Sequence, residues 1–203
     1  MKGRRRIFAY LLVGGAALLF AGFAFSKKSL RGMKVLHLGD SHVGGLKSRV
    51  GSIVAASGGS YVEHHQDGIS TLVATQAGWD EIVATENPDI IIVTLGTNDR
   101  VSEAYPGYVD LLMAKLLEVT PDATIIWWGP PRLNRIDLVG RDEQVAYIQS
   151  SEVAANGGSF VNTSALGVES DGPDGVHLTA FGYGRWAELA MGESFWTRRL
   201  ASR

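Results

Sequence analysis

The stretch "VLHLGDSHVGGL", residues 35–46, decides how the chain is read. An apolar run stops at Gly39. An aspartate and a serine follow, and apolar residues then return at helical spacing. A buried strand that ends on a glycine and passes into a helix is the repeating unit of a parallel sheet. Ser41 is then either a residue that caps the helix or a side chain displayed at the end of a strand. What the rest of the chain brings to that strand end decides between the two.

The same pattern recurs down the chain. Val35–Leu38 reads as the first strand, and residues 44–56 read as a helix with Leu46, Val50, Ile53 and Val54 in register, stopped by "SGG". Residues 60–65 alternate as a strand does. Ser70 or Thr71 can cap a helix running to about Glu86, and Asn87-Pro88 breaks it. "DIIIVTL", residues 89–95, is apolar and β-branched throughout, as expected of a central strand covered on both faces. A helix is expected over 108–119, a strand over 123–128 and a helix over 141–155. A short strand over 159–162 and a helix from Thr179 to about Met191 complete the series. Trp127 and Trp128 are neighbours on a strand, so one faces each side, and core packing is the expectation for both. Strands that alternate with helices five times imply an α/β fold with a parallel sheet between two helical layers. Functional residues in such sheets gather in the loops beyond the strands' carboxyl ends.

The first 32 residues differ from the rest. They carry seven Lys/Arg (Lys2, Arg4, Arg5, Arg6, Lys27, Lys28, Arg31) and no acid, and Ile7–Phe25 holds no charge. As a helix that run would span roughly 28 Å, close to the hydrocarbon thickness of a bilayer. The expectation is a transmembrane anchor over about 7–25 and a short tether to residue 32. A cleaved signal peptide with a small-residue site near Gly22–Ala24 is the alternative, and a buried helix a third. The positive-inside rule leans toward a cytoplasmic N-terminus and a body outside the cytoplasm. The body, residues 33–203, keeps 12 basic against 21 acidic residues, a net of −9. Such a body is a poor electrostatic match for nucleic acid. The sequence has no cysteine, so disulfides, a thiol nucleophile and cysteine-bound zinc are excluded.

Four strand ends carry chemistry in order. The first gives Gly39-Asp40-Ser41, the second "QDGIST" with Gly68, the third "GTND" with Asn98, and the loop after the fifth "DGPDGVH" with Asp174 and His177. A serine hydroxyl needs a base within hydrogen-bond reach, and that base needs an acceptor to hold its tautomer. His177 and Asp174 suit those roles. A tetrahedral intermediate needs donors for its oxyanion; the N–H groups of Ser41 and Gly68 and the Asn98 amide would supply three. Asp40 and Asp99 are expected to brace the loops.

With these blocks the chain resembles the SGNH hydrolases, also called the GDSL family, over about residues 33–192. The resemblance implies a flavodoxin-like three-layer α/β/α fold and acyl-ester chemistry without a metal or other cofactor. His42 stands where the common family form has leucine. "GDSH" is more similar to SGNH domains attached to membrane acyltransferases that modify envelope polysaccharides, which tilts the expected substrate toward O-acylated glycans. The reading is therefore a membrane-anchored serine esterase acting on short acyl esters. A lysophospholipase or thioesterase, a polysaccharide O-acyltransferase, and a non-catalytic binding or assembly module tethered to the membrane are the alternatives.

Other motifs fail on spacing. Gly39 and Gly44 stand at P-loop distance, but the lysine falls at 47 instead of directly after the second glycine. The Ser41 stretch lacks the second glycine of a G-x-S-x-G elbow. His64 and His65 would point to opposite faces of a strand and cannot jointly grip one metal ion. His42 is expected to line the pocket. The tail from Trp196, with Arg198, Arg199 and Arg203, reads as a solvated end.

Overall fold

The computed structural model describes residues 30–196. The expected membrane segment over 7–25 and the arginines of the tail lie outside the described residues. None of the described helices is long and apolar enough to cross a membrane.

Five parallel strands form one sheet: β1 (Lys34–Gly39), β2 (Ser60–His65), β3 (Ile90–Thr94), β4 (Thr124–Trp128) and β5 (Ser159–Val161). Their spatial order is β2-β1-β3-β4-β5. The crossovers are α1 (Ser41–Ala56), α2 (Thr71–Ala74) with α3 (Trp79–Glu86), α4 (Tyr105–Val119) and α5 (Arg141–Ala155); α6 (Ala180–Trp196) closes the chain. Order reverses between β1 and β3, the place where such sheets open a crevice at their carboxyl edge.

The all-apolar strands have the covering they need. Leu36, Leu38, Ile91, Val93 and Trp127 bury on one face, under α3, α4 and α5. Val35, Ile90, Ile92, Ile126 and Trp128 bury on the other, under α1 and α6. The adjacent tryptophans thus separate into the two cores, each fully buried. A polar group sits in the second core: His37 is enclosed, with Tyr61 Oη 2.9 Å from Nδ1 and Thr94 Oγ1 2.8 Å from Nε2. Burial drives its pKa down to about 3, so the imidazole is neutral.

Four helix boundaries differ from the sequence reading, one of them the end of α6, which runs to Trp196 rather than about Met191. The helix expected over about 70–86 is two, because the chain at Gly78 turns left-handed (φ +71°) between α2 and α3. The helix α4 begins at Tyr105 rather than 108, since Pro106 falls in its first turn, where no intrahelical N–H is lost. The helix α1 begins three residues before Gly44, at Ser41, and Asp40 is its N-cap, with Oδ1 accepting from His42 N–H at 3.0 Å. The capping task that competed for Ser41 thus falls to Asp40.

Candidate active site

At the carboxyl end of β1 the chain runs close alongside β3. Asp40 N–H donates to the Thr94 carbonyl (3.2 Å), and a Cβ on Gly39 would stand 2.3 Å from that same oxygen. Only glycine permits this approach. With Asp40 spent on the cap, the Ser41 side chain is left free in the first turn of α1. Its Oγ lies 2.8 Å from His177 Nε2, across 136 residues of sequence.

His177 comes from the loop after β5. Its Nδ1 is 2.6 Å from Asp174 Oδ2. The other carboxylate oxygen of Asp174 accepts the N–H groups of Val176 (2.9 Å) and His177 (2.8 Å), so the loop folds around its own acid. These bonds, the one from the imidazole first, hold the Asp174 carboxyl below the usual carboxylate range. A carboxylate at Nδ1 places the ring proton there and leaves the Nε2 lone pair facing Ser41. The pair is open to solvent, with about half of the Asp174 side chain (50%) and 43% of that of His177 exposed. The loop after β4 steadies it: the N–H groups of Asn134 and Arg135 both donate to the Gly175 carbonyl, at 3.0 and 3.1 Å.

The other two sequence candidates lie on neighbouring strand ends. Gly68 is exposed and adopts φ +73°, a left-handed turn that a side chain would strain, and nothing stands within 4 Å of where its Cβ would be. Asn98 is half-buried, and both protons of its amide are already engaged. Nδ2 donates to Asp40 Oδ2 at 3.3 Å and to the Ile69 carbonyl at 3.2 Å. Both bonds are long, and Asn98 ties the ends of β1, β2 and β3 together. Asp99 braces the same corner: it accepts from Thr71 N–H (2.7 Å), Thr71 Oγ1 (2.6 Å) and the Tyr105 hydroxyl (3.1 Å).

His42 does not line an open pocket. It is 1% exposed, and burial lowers its pKa to about 3. Its Nδ1 meets Tyr183 Oη at 3.1 Å, and its ring centroid lies 5.4 Å from that of His177 and 5.2 Å from that of Trp186. Sequence reasoning did not pair His42 with Tyr183, since 141 residues separate them. The hold of Asp40 on Asn98 also escaped it, although an aspartate one place ahead of a helix is a recognisable cap signal. His64 and His65 diverge: His65 bonds Glu63 at 2.6 Å, while His64 turns toward Glu86. Among the described residues no group of three His, Asp or Glu side chains is placed to hold a metal ion.

The arrangement is suited to nucleophilic acyl transfer: a hydroxyl on a base, and the base on a carboxylate. Comparison with known proteins bears on the scaffold. No curated protein matches the chain. Among solved structures, a carbohydrate acetylesterase from Sinorhizobium meliloti superposes with TM-score 0.65 at 18% identity, covering 80% of this chain and 98% of that one. An inhibitor-bound aryl esterase from M. smegmatis gives TM-score 0.65 at 17% identity, covering 80% and 97%. A mutant acetyl-xylooligosaccharide esterase from Geobacillus gives 0.61 at 18%, covering 80% and 95%. Residues 34–193 match the family described as a protein of unknown function, DUF459. The chain belongs to the DUF459 family, and its fold is that of the SGNH hydrolases.

Proposed function

We propose that the protein is a serine esterase. The observation that carries this reading is the 2.8 Å approach of Ser41 Oγ to His177 Nε2, with Asp174 2.6 Å behind the imidazole. Ser41 Oγ attacks the acyl carbonyl as His177 Nε2 takes its proton. Asp174 stays ionised and steadies the imidazolium. The carbon–oxygen bond of the ester then breaks, and the alcohol leaves with the proton from His177. Water, deprotonated by the same nitrogen, releases the acid from Ser41.

The oxyanion is held by the N–H groups of Ser41 and Gly68 and by the Asn98 amide. Asn98 must then give up a bond, and the longer one, to Asp40, is the one exchanged. Short acyl esters are the substrate class, O-acetyl groups on envelope glycans among them. Two of the structural neighbours are named for acetyl esters of carbohydrates, which supports this choice. We further propose that residues 7–25 anchor the chain in a membrane with the body outside the cytoplasm, on the basic–apolar–basic order of the first 32 residues.

The test is hydrolysis of p-nitrophenyl acetate by the full chain in detergent, against Ser41→Ala. Loss of roughly 10³-fold or more in kcat/KM is the expected result. Equal rates in the two proteins would end the esterase reading.

A further inference from the structure

Asn98 sits in the middle of a turn. Asp99 N–H donates to the Gly96 carbonyl at 3.2 Å, so Thr97 and Asn98 are the two central residues. A turn of this kind makes no bond to its own central peptide. Rotating that peptide by about 180° converts a type I turn to type II. The rotated form needs a positive φ at the second central residue, here Asn98, and asparagine tolerates that better than most side chains. The Thr97 oxygen then crowds the Asn98 Cβ, and the side chain has to shift to relieve it. Asn98 is unrotated in the structure: among the described residues Asn87 is the one non-glycine with positive φ.

The helix α5 holds the turn in that form. Arg141, Val145 and Gln149 stand at i, i+4 and i+8, so the three share one helix face. They meet three successive residues of the turn and its approach. Gln149 Nε2 donates to the Leu95 carbonyl at 3.1 Å. A Cβ on Gly96 would stand 2.9 Å from Val145 Cγ1. Arg141 Nη2 donates to the Thr97 carbonyl at 3.0 Å, and that oxygen belongs to the central peptide. No carboxylate pairs with the Arg141 guanidinium among the described residues, so its charge is spent on this carbonyl. A charged donor makes a stronger bond to a carbonyl than a neutral one does.

We propose that Arg141 is a positioning residue for the oxyanion site, holding the Thr97–Asn98 peptide in one of its two orientations so that the Asn98 amide stays aimed. This rests on the esterase reading and on Asn98 as an oxyanion donor. The need is greatest during the reaction. When Asn98 exchanges its bond to Asp40 for the oxyanion, its side chain keeps the 3.2 Å bond to the Ile69 carbonyl and otherwise depends on the backbone beneath it. Arg141 touches that backbone, not the substrate.

Hydrolysis of p-nitrophenyl acetate by a set of variants tests the inference. Arg141→Met removes donor and charge, and Arg141→Gln keeps a neutral donor on a shorter stem. Each is expected to lose roughly tenfold in kcat with KM unchanged, and having both guards against one failing to fold. Arg141→Lys keeps a cation, and one bond to one oxygen is within an ammonium's means; it is expected to stay within about threefold of the parent. A loss confined to KM, no loss in Met and Gln, or no recovery in Lys overturns the proposal. In an Asn98→Ala background Arg141→Met is expected to cost less than about twofold further, because the group it positions is gone. The full tenfold loss in that background would show that Arg141 acts other than through Asn98, and overturns the proposal too. Failure of the readings beneath it looks different. Parent kcat in Asn98→Ala overturns the oxyanion role of Asn98, and activity that survives Ser41→Ala overturns the esterase reading.

Discussion

One residue before the nucleophile, Asp40 buries a carboxyl group completely. Burial pushes its pKa up to about 7; the His42 N–H opposes the rise, and the nearby Asp99 carboxylate adds to it. Unfolded, the same carboxyl titrates near 4. Between those values the folded protein holds a proton that the unfolded chain has lost, so this group makes stability fall as pH rises through the window. Asp40→Asn keeps an oxygen for the cap and cannot ionise. Its urea midpoint is expected to fall less between pH 5 and pH 8 than that of the parent. Parallel midpoints in the two proteins would assign the slope to other groups. Tyr183 presents a second test at this scale. Its phenol oxygen meets His42 on the nucleophile's helix, and the His42 ring lies against that of the base, His177. Tyr183→Phe removes that tie while keeping the ring, which stacks on Trp186. A loss of about 1 kcal/mol of positioning is expected, roughly fivefold in kcat, with KM unchanged. A change in KM alone would place Tyr183 in substrate binding instead.

The strand-to-helix turn after β1 is the element on which the site depends, and it shows why some features were legible in sequence and others were not. The strand, the turn and the serine all lie within a few residues, so local patterning reveals them. The sequence reading starts α1 three residues late, at Gly44, and runs it through Gly44 and Gly45 although glycine is a poor helix former. Their cause is distant: a Cβ on Gly45 would stand 2.4 Å from the Tyr183 ring, which arrives from α6. The break between α2 and α3 was missed because apolar spacing continues across it from Leu72 to Ile82. The order of Ser41, Asn98, Asp174 and His177 at successive strand ends was readable once the alternation was seen. The two bonds on the Asn98 amide were not, since their acceptors at Asp40 and Ile69 become neighbours only when the strands pair. Gly39 is the most constrained point of the turn. In Gly39→Ala the new methyl meets backbone, the Thr94 carbonyl, rather than a side chain that can swing away. A cost of at least ~2–3 kcal/mol is expected in chemical denaturation. An unchanged midpoint would mean that β1 slides past β3 freely.

Over the whole molecule the two halves of the site rest on unequal supports. Ser41 stands on α1, whose Val43, Leu46, Val50 and Val54 are all fully buried, and on β1, which is paired on both sides by β2 and β3. The loop carrying Asp174 and His177 follows β5, a three-residue strand at the sheet's edge. From residue 169 to 177 its only fully enclosed side chain is Ser170, and it is held by bonds to 132–135, by Asp171 accepting from the N–H and hydroxyl of Thr179, and by the Ser41–His177 contact. Opening free energy follows buried contacts and protected hydrogen bonds, so the two supports open at different costs. Amides of β1, β3 and β4 are expected to exchange with deuterium only through global unfolding. Those of residues 171–177 are expected to exchange orders of magnitude faster, through local opening that parts His177 from Ser41. A fluorophosphonate loses fluoride on attack by Ser41 and leaves a phosphonate ester whose oxygen can accept from His177 Nε2–H, which adds a contact across the two halves. It is expected to slow exchange in 171–177 and leave β1 and β3 unchanged. Slow exchange of that loop in the free protein would show that His177 is held as firmly as the serine it serves, by contacts other than those to 132–135.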